Sequence, residues 1–154
     1  MQITKFSDYA LRILIHLAAT DEDLMSTRDV AKMQDLPFNH LAKITQWLAH
    51  EGYVESVRGR YGGMRLAKPT NEISIGALLR KSEQGSPLVD CMKEEGGCCA
   101  MTPACGLLPL LTDAQEAFYA ALDDKTLEDV FAGHRGMWSL LKHLEQQRVE
   151  VGEA

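Results

Sequence analysis

The sequence predicts a mainly α-helical protein with one small β-hairpin, a long helix and a loop that carries cysteines. Three observations support this fold class. Apolar residues recur every three or four positions over much of the chain. One glycine-rich turn separates two short segments of strand length. All four cysteines lie in one polar stretch, from Cys91 to Cys105.

The beginning of the chain predicts two helices joined by a short acidic turn. The first spans residues 7–19, with Ser7 as its N-cap, because its apolar residues fall on one helical face. A second, shorter helix spans residues 28–33 and is capped by Ser26 or Thr27. The apolar face of the first helix consists of Tyr9, Ala10, Ile13, Leu14 and Leu17.

A third helix and a basic hairpin follow. Pro37 opens the helix, which spans residues 38–50. Two strands are expected at residues 53–57 and 64–67, joined by the turn RGRYGG at 58–63. Two helices, a tight turn, a third helix and a basic hairpin are the element order of a winged helix–turn–helix. The sequence therefore predicts this DNA-binding fold.

In a winged helix–turn–helix, the N-terminal residues of the third helix contact base edges in the major groove. Asn39 is expected to pair with adenine and Phe38 to contact a thymine methyl group. Thr27, at a helix N-terminus, is expected to hold a phosphate. Arg58 and Arg60 would lie over the DNA backbone or in a narrow minor groove, although an ordinary turn with two solvated arginines is the alternative. The predicted DNA-binding residues are Thr27, Arg28, Pro37, Phe38, Asn39, His40, Lys43, Arg58, Arg60 and Tyr61.

The charge distribution is compatible with a polyanionic partner for the first half of the chain. The formal net charge of the protein is −6. Residues 1–70 carry nine Lys or Arg and eight Asp or Glu, whereas residues 71–154 carry seven and fourteen. The first half is thus close to neutral and the second half is acidic, which permits DNA binding by the first half without proving it.

The cysteine loop predicts a metal centre. The run at 93–97, before Cys98, is polar and includes two glycines, so it cannot form a core, but it can fold thiolates around a soft metal. An iron–sulfur cluster is the preferred interpretation, followed by metal-free redox thiols, zinc and a disulfide. Zinc usually shows CxxC pairs, which are absent from the sequence, and disulfides suit secreted proteins. Adjacent Cys98 and Cys99 would point in opposite directions in an extended chain, so only one of them is expected to be a ligand.

A long helix is predicted to follow the cysteine loop and to form a dimer. Apolar residues at steps of four, three, four and four form one seam, which is typical of a helix that packs against a symmetry-related copy. Pro109 is tolerated only in a first turn, so this helix is expected to begin at Cys105 or Gly106. The predicted dimerisation residues are Leu107, Leu111, Ala114, Phe118 and Leu122.

Three shorter helices complete the prediction. Ser74 caps a helix over residues 75–82, before the cysteine loop. Thr126 caps a helix over 127–131, and a last amphipathic helix spans 137–149.

Other classes of protein are less well supported. The sequence has no apolar run of membrane-spanning length. Asp8 and Arg12 interrupt the apolar N-terminus, so we interpret it as a mature helix of a cytoplasmic protein and not as a signal peptide. No nucleophile–base arrangement or phosphate loop supports an enzyme. An iron–sulfur electron carrier is the alternative from another class, and it would not bind operator DNA.

The residues described above resemble the NsrR/IscR family of iron–sulfur winged-helix repressors over nearly the whole chain. The resemblance lies in KFSDYALRILIHLA at 5–18, in the predicted third helix and hairpin at 36–69, and in TLEDV at 126–130. The cysteine stretch followed by DAQEAFYAALDDKTLEDV at 113–130 most resembles the nitric-oxide-sensing branch, NsrR. The IscR branch carries a histidine where this chain has Leu108.

The resemblance implies a homodimer whose cluster is held by three cysteines and by an aspartate near the N-terminus of the partner subunit. Cys91, Cys99 and Cys105 match those cysteines, with Cys98 as the alternate, and Asp8 matches the aspartate. A 4Fe–4S cluster is favoured and a 2Fe–2S cluster is the other option.

The expected function is a nitric-oxide-responsive repressor that binds operator DNA as a homodimer. The alternative within the family is a regulator that senses redox state or iron–sulfur supply through a 2Fe–2S cluster. The expected organisation is a winged helix–turn–helix domain at 1–82, a cluster-binding loop at 83–106, and the dimerisation helix with the C-terminal helices at 107–154.

Overall fold

The computed structural model describes residues 2–20, 23–59, 62–93 and 99–152. Most of these residues are helical, and two short strands form an antiparallel sheet. The mainly α fold class with a small β-wing is thereby confirmed. The helices and strands are α1 Lys5–Ala19, α2 Thr27–Met33, α3 Phe38–His50, β1 Val54–Val57, β2 Gly63–Leu66, α4 Ile75–Ser82, α5 Leu107–Asp123 and α6 Arg135–Gly152. Short 3-10 turns are formed by Thr70–Glu72, Asp90–Met92 and Thr102–Ala104.

The chain packs as two compact units. One consists of Met1–Ser7 with Ser74–Lys125, and the other of Asp8–Ile73 with Thr126–Ala154. The first turn of α1 is counted with the smaller unit and the rest of the helix with the larger one. This division reflects packing within one chain, and the functional boundaries expected at residues 82 and 106 stay a prediction.

The larger unit is built on the apolar faces of the first three helices. Leu14, Leu41 and Leu48 have no exposed surface. α2 begins at the N-cap Ser26, whose hydroxyl accepts a hydrogen bond from the Asp29 amide at 3.1 Å. α3 has the predicted bounds, because Pro37 cannot continue a preceding helix but is suited to the start of a new one.

The wing hairpin is attached to this core by a methionine pair. β1 and β2 pair with Val54 opposite Leu66 and Val57 opposite Gly63. Met64 of β2 also exchanges backbone hydrogen bonds with Met25, at 2.8 and 3.0 Å, and both side chains are 1% exposed. The base of the wing is therefore fixed by Met25, a buried residue that precedes α2 in the sequence.

The smaller unit consists of the N-terminal residues, α4, the cysteine segment and α5. Ser74 caps α4 as predicted: its hydroxyl accepts from the Ala77 amide at 3.1 Å and donates to the Asp123 carbonyl at 2.8 Å. A side chain at Gly76 would place its Cβ 2.6 Å from the Asp123 backbone nitrogen. Glycine at this position therefore allows α4 to pack closely against the end of α5.

Two predicted helix starts need correction. Ser7 is not the N-cap of α1: the helix begins at Lys5, and the Thr4 hydroxyl accepts from the Ser7 amide at 3.2 Å. α5 begins at Leu107, one or two residues later than expected, which places Pro109 in the first turn, where its missing N–H removes no helical hydrogen bond.

The predicted helix over 127–131 was wrong. These residues form turns, in which the Asp129 amide bonds to the Thr126 carbonyl and the Phe131 amide to the Glu128 carbonyl. The Leu127 amide bonds to Ile73 and the Glu128 amide to Thr70, so the segment follows another part of the chain instead of winding on itself. The last helix begins earlier and ends later than predicted. No helix among the described residues is long and apolar enough to span a membrane.

Candidate functional site

The start of α3 presents an exposed polar and aromatic surface. Phe38 is the first residue of the helix and is 43% exposed. Asn39, His40 and Lys43 are exposed too, whereas Leu41 and Leu48 on the opposite face are buried. The helix thus buries one face in the core of the larger unit and leaves its N-terminal turn free to contact a partner, as a recognition helix requires.

Arg28 is stacked on the exposed aromatic ring of Phe38. Its guanidinium carbon lies 5.2 Å from the ring centroid. An arginine at this distance attracts the π-face of the ring and restricts its orientation. Arg28 is the second residue of α2 and Phe38 the first residue of α3, so this contact joins the starts of the two helices.

The Thr27 hydroxyl is directed at other residues of the larger unit. It lies 3.3 Å from the Thr45 hydroxyl and 3.9 Å from the Met64 sulfur. The Thr27 hydroxyl is thus engaged within the larger unit, and the predicted phosphate contact of Thr27 stays a prediction.

The wing carries an ion pair between facing residues. Glu55 and Arg65 are partners in the sheet register, and their side chains approach to 2.7 and 2.9 Å. Arg58 is exposed at the turn. Arg60 and Tyr61, both predicted to contact DNA, lie outside the described residues. A Cβ at Gly62 would lie 2.2 Å from the Val57 carbonyl oxygen, so the turn requires glycine there.

Asp8 belongs to a polar network that ends at the helix–turn–helix. Its two carboxylate oxygens accept from Arg12 at 3.0 and 2.9 Å. Arg12 donates to the side chain of Gln34, the C-cap of α2, at 3.1 Å. The Gln34 amide nitrogen lies 2.6 Å from a ring nitrogen of His16, which is 3% exposed. Sequence reasoning missed Arg12, His16 and Gln34 as a group, although the acid–base spacing of four residues marked the first contact.

The described cysteines lie on two short turns. Cys91 is in the middle of the turn Asp90–Met92, and Cys105 follows the turn Thr102–Ala104. The Cys99 carbonyl accepts from the Thr102 amide at 3.1 Å and from its hydroxyl at 2.8 Å. All three thiols are free and half-buried. Cys98 lies outside the described residues.

An ion pair closes the turn that contains Cys91. Lys93 and Asp90 approach to 2.5 Å. The hydrogen bond from Lys93, reinforced by its charge, holds the pKa of the Asp90 carboxyl below its usual range. This pair stabilises the turn without using the thiol.

The donor chemistry of the cysteine segment fits an iron–sulfur cluster. Free, half-buried thiols are the ligands that iron–sulfur clusters take from proteins. Within the described ranges, no three His, Cys, Asp or Glu side chains lie close enough together to hold a metal ion.

The predicted dimer seam of α5 is uncovered within one chain. Tyr119 is the buried residue of this helix. Leu107 is 58% exposed, Ala114 is exposed, and Leu111, Phe118 and Leu122 are partly exposed. Leu110, which adds to the apolar surface, is 65% exposed. Pairing with a second copy would bury this seam and stays a prediction.

Arg80 joins α4 to the polar face of α5. It donates to both carboxylate oxygens of Glu116 at 2.6 and 2.7 Å and to Asp123 at 2.9 and 3.3 Å. Its guanidinium also lies 5.1 Å from the centroid of the Tyr119 ring. These hydrogen bonds hold the pKa values of Glu116 and Asp123 below their usual range and raise the pKa of Arg80.

The fold and the exposed start of α3 define a winged-helix transcriptional regulator. The chain belongs to the Rrf2 family, described as "Iron-dependent Transcriptional regulator", which it matches over residues 3–133. It is 43% identical over 143 residues to the HTH-type transcriptional regulator NsrR of Geobacillus kaustophilus, covering 92% of this chain and 97% of that relative. It is also 43% identical over 138 residues to the HTH-type transcriptional repressor NsrR of Streptomyces coelicolor, covering 88% of this chain and 92% of that relative.

A solved structure supports the same assignment. The structure of CymR (YrzC), the global cysteine regulator of Bacillus subtilis, matches with a TM-score of 0.61 and 26% identity, over 86% of this chain and 97% of that one. The predicted family and the predicted regulator function are confirmed at this level. The ligand residues and the DNA-contacting residues stay predictions.

Proposed function

We propose that this protein is a homodimeric transcriptional repressor that binds operator DNA through α3 and the wing, and that an iron–sulfur cluster makes this binding sensitive to nitric oxide. The observation that supports the proposal best is the coexistence of two features in one chain. An exposed recognition surface is held in place by a buried core, and three free thiols lie on one segment. Relatives with 43% identity are named NsrR regulators, one of them a repressor.

Toward DNA, the residues of this chain divide into those that contact bases and those that orient these residues or contact the backbone. Asn39 reads adenine, and Phe38 contacts a thymine methyl group with its orientation restricted by the stacked Arg28. Arg58 and Arg60 of the wing contact the DNA backbone or a narrow minor groove. Two recognition helices in a dimer must match half-sites about 34–36 Å apart, so a change in their spacing reduces affinity.

On the signal side, Cys91, Cys99 and Cys105 hold the cluster, and Asp8 of the partner subunit provides an oxygen ligand. When bound, the cluster would supply iron that reacts with nitric oxide, and the Asp8 carboxylate would be a harder, weaker ligand for that iron than the three thiolates. Asp8 is an ion-pair partner of Arg12 within its own chain. When Asp8 also binds the partner's cluster, its ion pair with Arg12 is weakened. The hydrogen bond from Arg12 to Gln34, which precedes the turn before α3, then changes as well.

The experiment combines one spectrum with one binding curve. Protein purified without oxygen is expected to contain iron and sulfide, to absorb visible light, and to bind a duplex selected from a randomised library. Nitric oxide should bleach the spectrum and weaken binding to the same duplex, measured by fluorescence anisotropy at fixed salt. A triple Cys91→Ser, Cys99→Ser, Cys105→Ser variant is the control and should show no response to nitric oxide.

Two results would contradict the proposal. DNA affinity that is unchanged while nitric oxide bleaches the spectrum would separate the cluster from regulation. Failure to select any duplex, with the cluster intact, would favour an electron carrier.

A further inference from the structure

The first turn of α1 is bonded to the end of α4 by a buried polar cluster. The Thr4 amide and the Thr4 hydroxyl both donate to one carboxylate oxygen of Glu83, at 2.8 and 2.9 Å. The hydroxyls of Ser7 and Ser82 lie 2.7 Å apart. Ser7 has no exposed surface and Glu83 is 8% exposed. Buried polar groups that are hydrogen-bonded in this way specify one arrangement of the elements that carry them.

Glu83 completes the cap of α1 from another helix. Thr4 is the residue before α1, and its hydroxyl accepts from the amide of Ser7, the third residue of the helix. In a capping box, a Glu or Gln at that third position bonds back to the N-cap amide. Ser7 is too short to do so, and Glu83 takes over this hydrogen bond. A carboxylate at this end of a helix is further favoured by the helix dipole.

The same residue begins the segment that leads to the cysteines. The Glu83 amide bonds to the Leu79 carbonyl at 2.9 Å and ends α4, and the Glu83 carbonyl accepts from the Ser86 amide at 2.8 Å. Gly85, with φ of 82°, then turns the chain toward Cys91. One side chain and its backbone therefore tie the start of α1 to the origin of the cysteine segment.

We propose that Glu83 is a positioning residue for the cluster site: through Thr4 it fixes the first turn of α1, and with it the place of Asp8, which follows Ser7 in that helix. The inference rests on the proposed function, because it assumes that Asp8 is a ligand. It deepens that function by assigning a residue that holds the oxygen ligand without touching it. A buried carboxylate that only adds stability is the competing explanation.

Two variants separate the acceptor role of Glu83 from its charge. Glu83→Gln keeps an oxygen that can accept both hydrogen bonds from Thr4, whereas Glu83→Ala removes the acceptor. Gln84→Ala is the matched control, because Gln84 is the next residue and its side chain is exposed. All three variants leave the proposed ligands unchanged.

The first measurement is hydrogen exchange of the metal-free, full-length protein. Glu83→Ala should speed exchange of the amides of residues 4–8 by about 5–30-fold, the effect of losing a cap worth about 1–2 kcal/mol. Glu83→Gln and Gln84→Ala should stay within about twofold of the parent, because the cap is retained. Unchanged exchange in Glu83→Ala would overturn the inference, whatever the state of the cluster.

The second measurement follows the visible spectrum and the rate of its change with nitric oxide in reconstituted protein. Glu83→Ala should shift both toward the behaviour of Asp8→Ala, and Glu83→Gln should restore the parental behaviour. If Asp8→Ala differs from the parent but Glu83→Ala does not, Glu83 is only a stabilising cap and the inference is wrong.

Two further outcomes are distinguishable. A Glu83→Gln variant that keeps slow exchange but loses the cluster would make Glu83 a direct ligand and overturn the positioning role. An Asp8→Ala variant that reacts like the parent removes the Asp8 part of the proposed function, and the positioning role of Glu83 falls with it, while the exchange result still identifies the cap.

Discussion

The predicted DNA-facing region, at the start of α3 in the larger unit, and the cysteine segment of the smaller unit differ in what holds them in place. The start of α3 is placed by a helix whose other face contains fully buried leucines. Cys91 lies in a 3-10 turn of three residues and Cys105 directly follows another, and the three described cysteines are half-buried. Apolar burial therefore places the first region, whereas the described cysteines are placed by short turns and backbone hydrogen bonds.

The largest expected effect is loss of the iron–sulfur cluster, and it concerns the cysteine segment alone. In anaerobic reconstitution, Cys91→Ser, Cys99→Ser and Cys105→Ser should each lose the cluster or hold it poorly, because a serine hydroxyl is a much weaker ligand for iron than a thiolate. Cys98→Ser should retain full iron and sulfide. The measurement is the iron-to-protein ratio together with the visible spectrum.

The variants of the two adjacent cysteines can also show that the ligand assignment is wrong. A cluster that survives Cys99→Ser but is lost in Cys98→Ser would make Cys98 the ligand. Metal-free samples of all four variants should have the same far-ultraviolet circular dichroism, which controls for misfolding.

The next largest effect is a loss of folding stability, which is expected for a change in the core behind α3 but not for a change in the cysteine segment. Leu48→Ala should lower the free energy of unfolding of the metal-free protein by about 2–5 kcal/mol, because Leu48 is fully buried and its truncation leaves a cavity. Cys105→Ser, at a half-buried position, should change it by less than about 0.5 kcal/mol. Urea titration followed by circular dichroism provides both values. Equal losses in the two variants would show that the cysteine segment belongs to the cooperative core.

A smaller effect sharpens the roles of the residues on the DNA-facing surface. Asn39→Ala should cost about 1–3 kcal/mol of discrimination at one base pair, because it removes a base contact. Arg60→Ala should weaken binding similarly on all sequences and reduce the salt slope by about 1. Anisotropy titrations at several salt concentrations, on the selected duplex and on a single-base variant, separate the two outcomes. Unchanged affinity in both variants would remove α3 and the wing from the interface.

The smallest effect concerns the acid dependence of stability around Arg80. Arg80 lowers the pKa values of Glu116 and Asp123 in the folded protein, mainly by hydrogen bonding, so their contribution to stability is present above the unfolded pKa values of about 4. It is lost as the pH falls through the lower, folded values. Arg80→Gln should therefore reduce the Tm at pH 7, and its difference from the parent should shrink below about pH 4.

The wing provides the matched control for this prediction. Arg65→Gln removes an ion pair whose two side chains are 56% and 54% exposed, so its effect on the Tm should be smaller than that of Arg80→Gln. A difference between Arg80→Gln and the parent that is as large at pH 3 as at pH 7 would exclude the ion pairs as its cause.

The sequence alone determined the features that depend on neighbouring residues. The bounds of α3 and α4 and the cap Ser74 were predicted correctly, and the cap of α2 is Ser26, one of the two residues expected there. A helix start is decided within about four residues by a side-chain acceptor, and its buried face by a repeat of three or four. The family resemblance arose from the same local information, because long stretches of the chain match in order.

Only the tertiary structure decided contacts between residues that are distant in sequence. Glu83 bonds to Thr4, 79 residues earlier, at the start of α1, and Arg12 reaches Gln34 across 22 residues. Nothing in the local pattern of either residue indicates its partner, because such hydrogen bonds form only after apolar burial has brought the helices together. The same reason explains why the helix predicted over 127–131 was wrong. Threonine is a common N-cap residue, which suggested a helix after Thr126, but backbone hydrogen bonds to Thr70 and Ile73 hold the segment in turns.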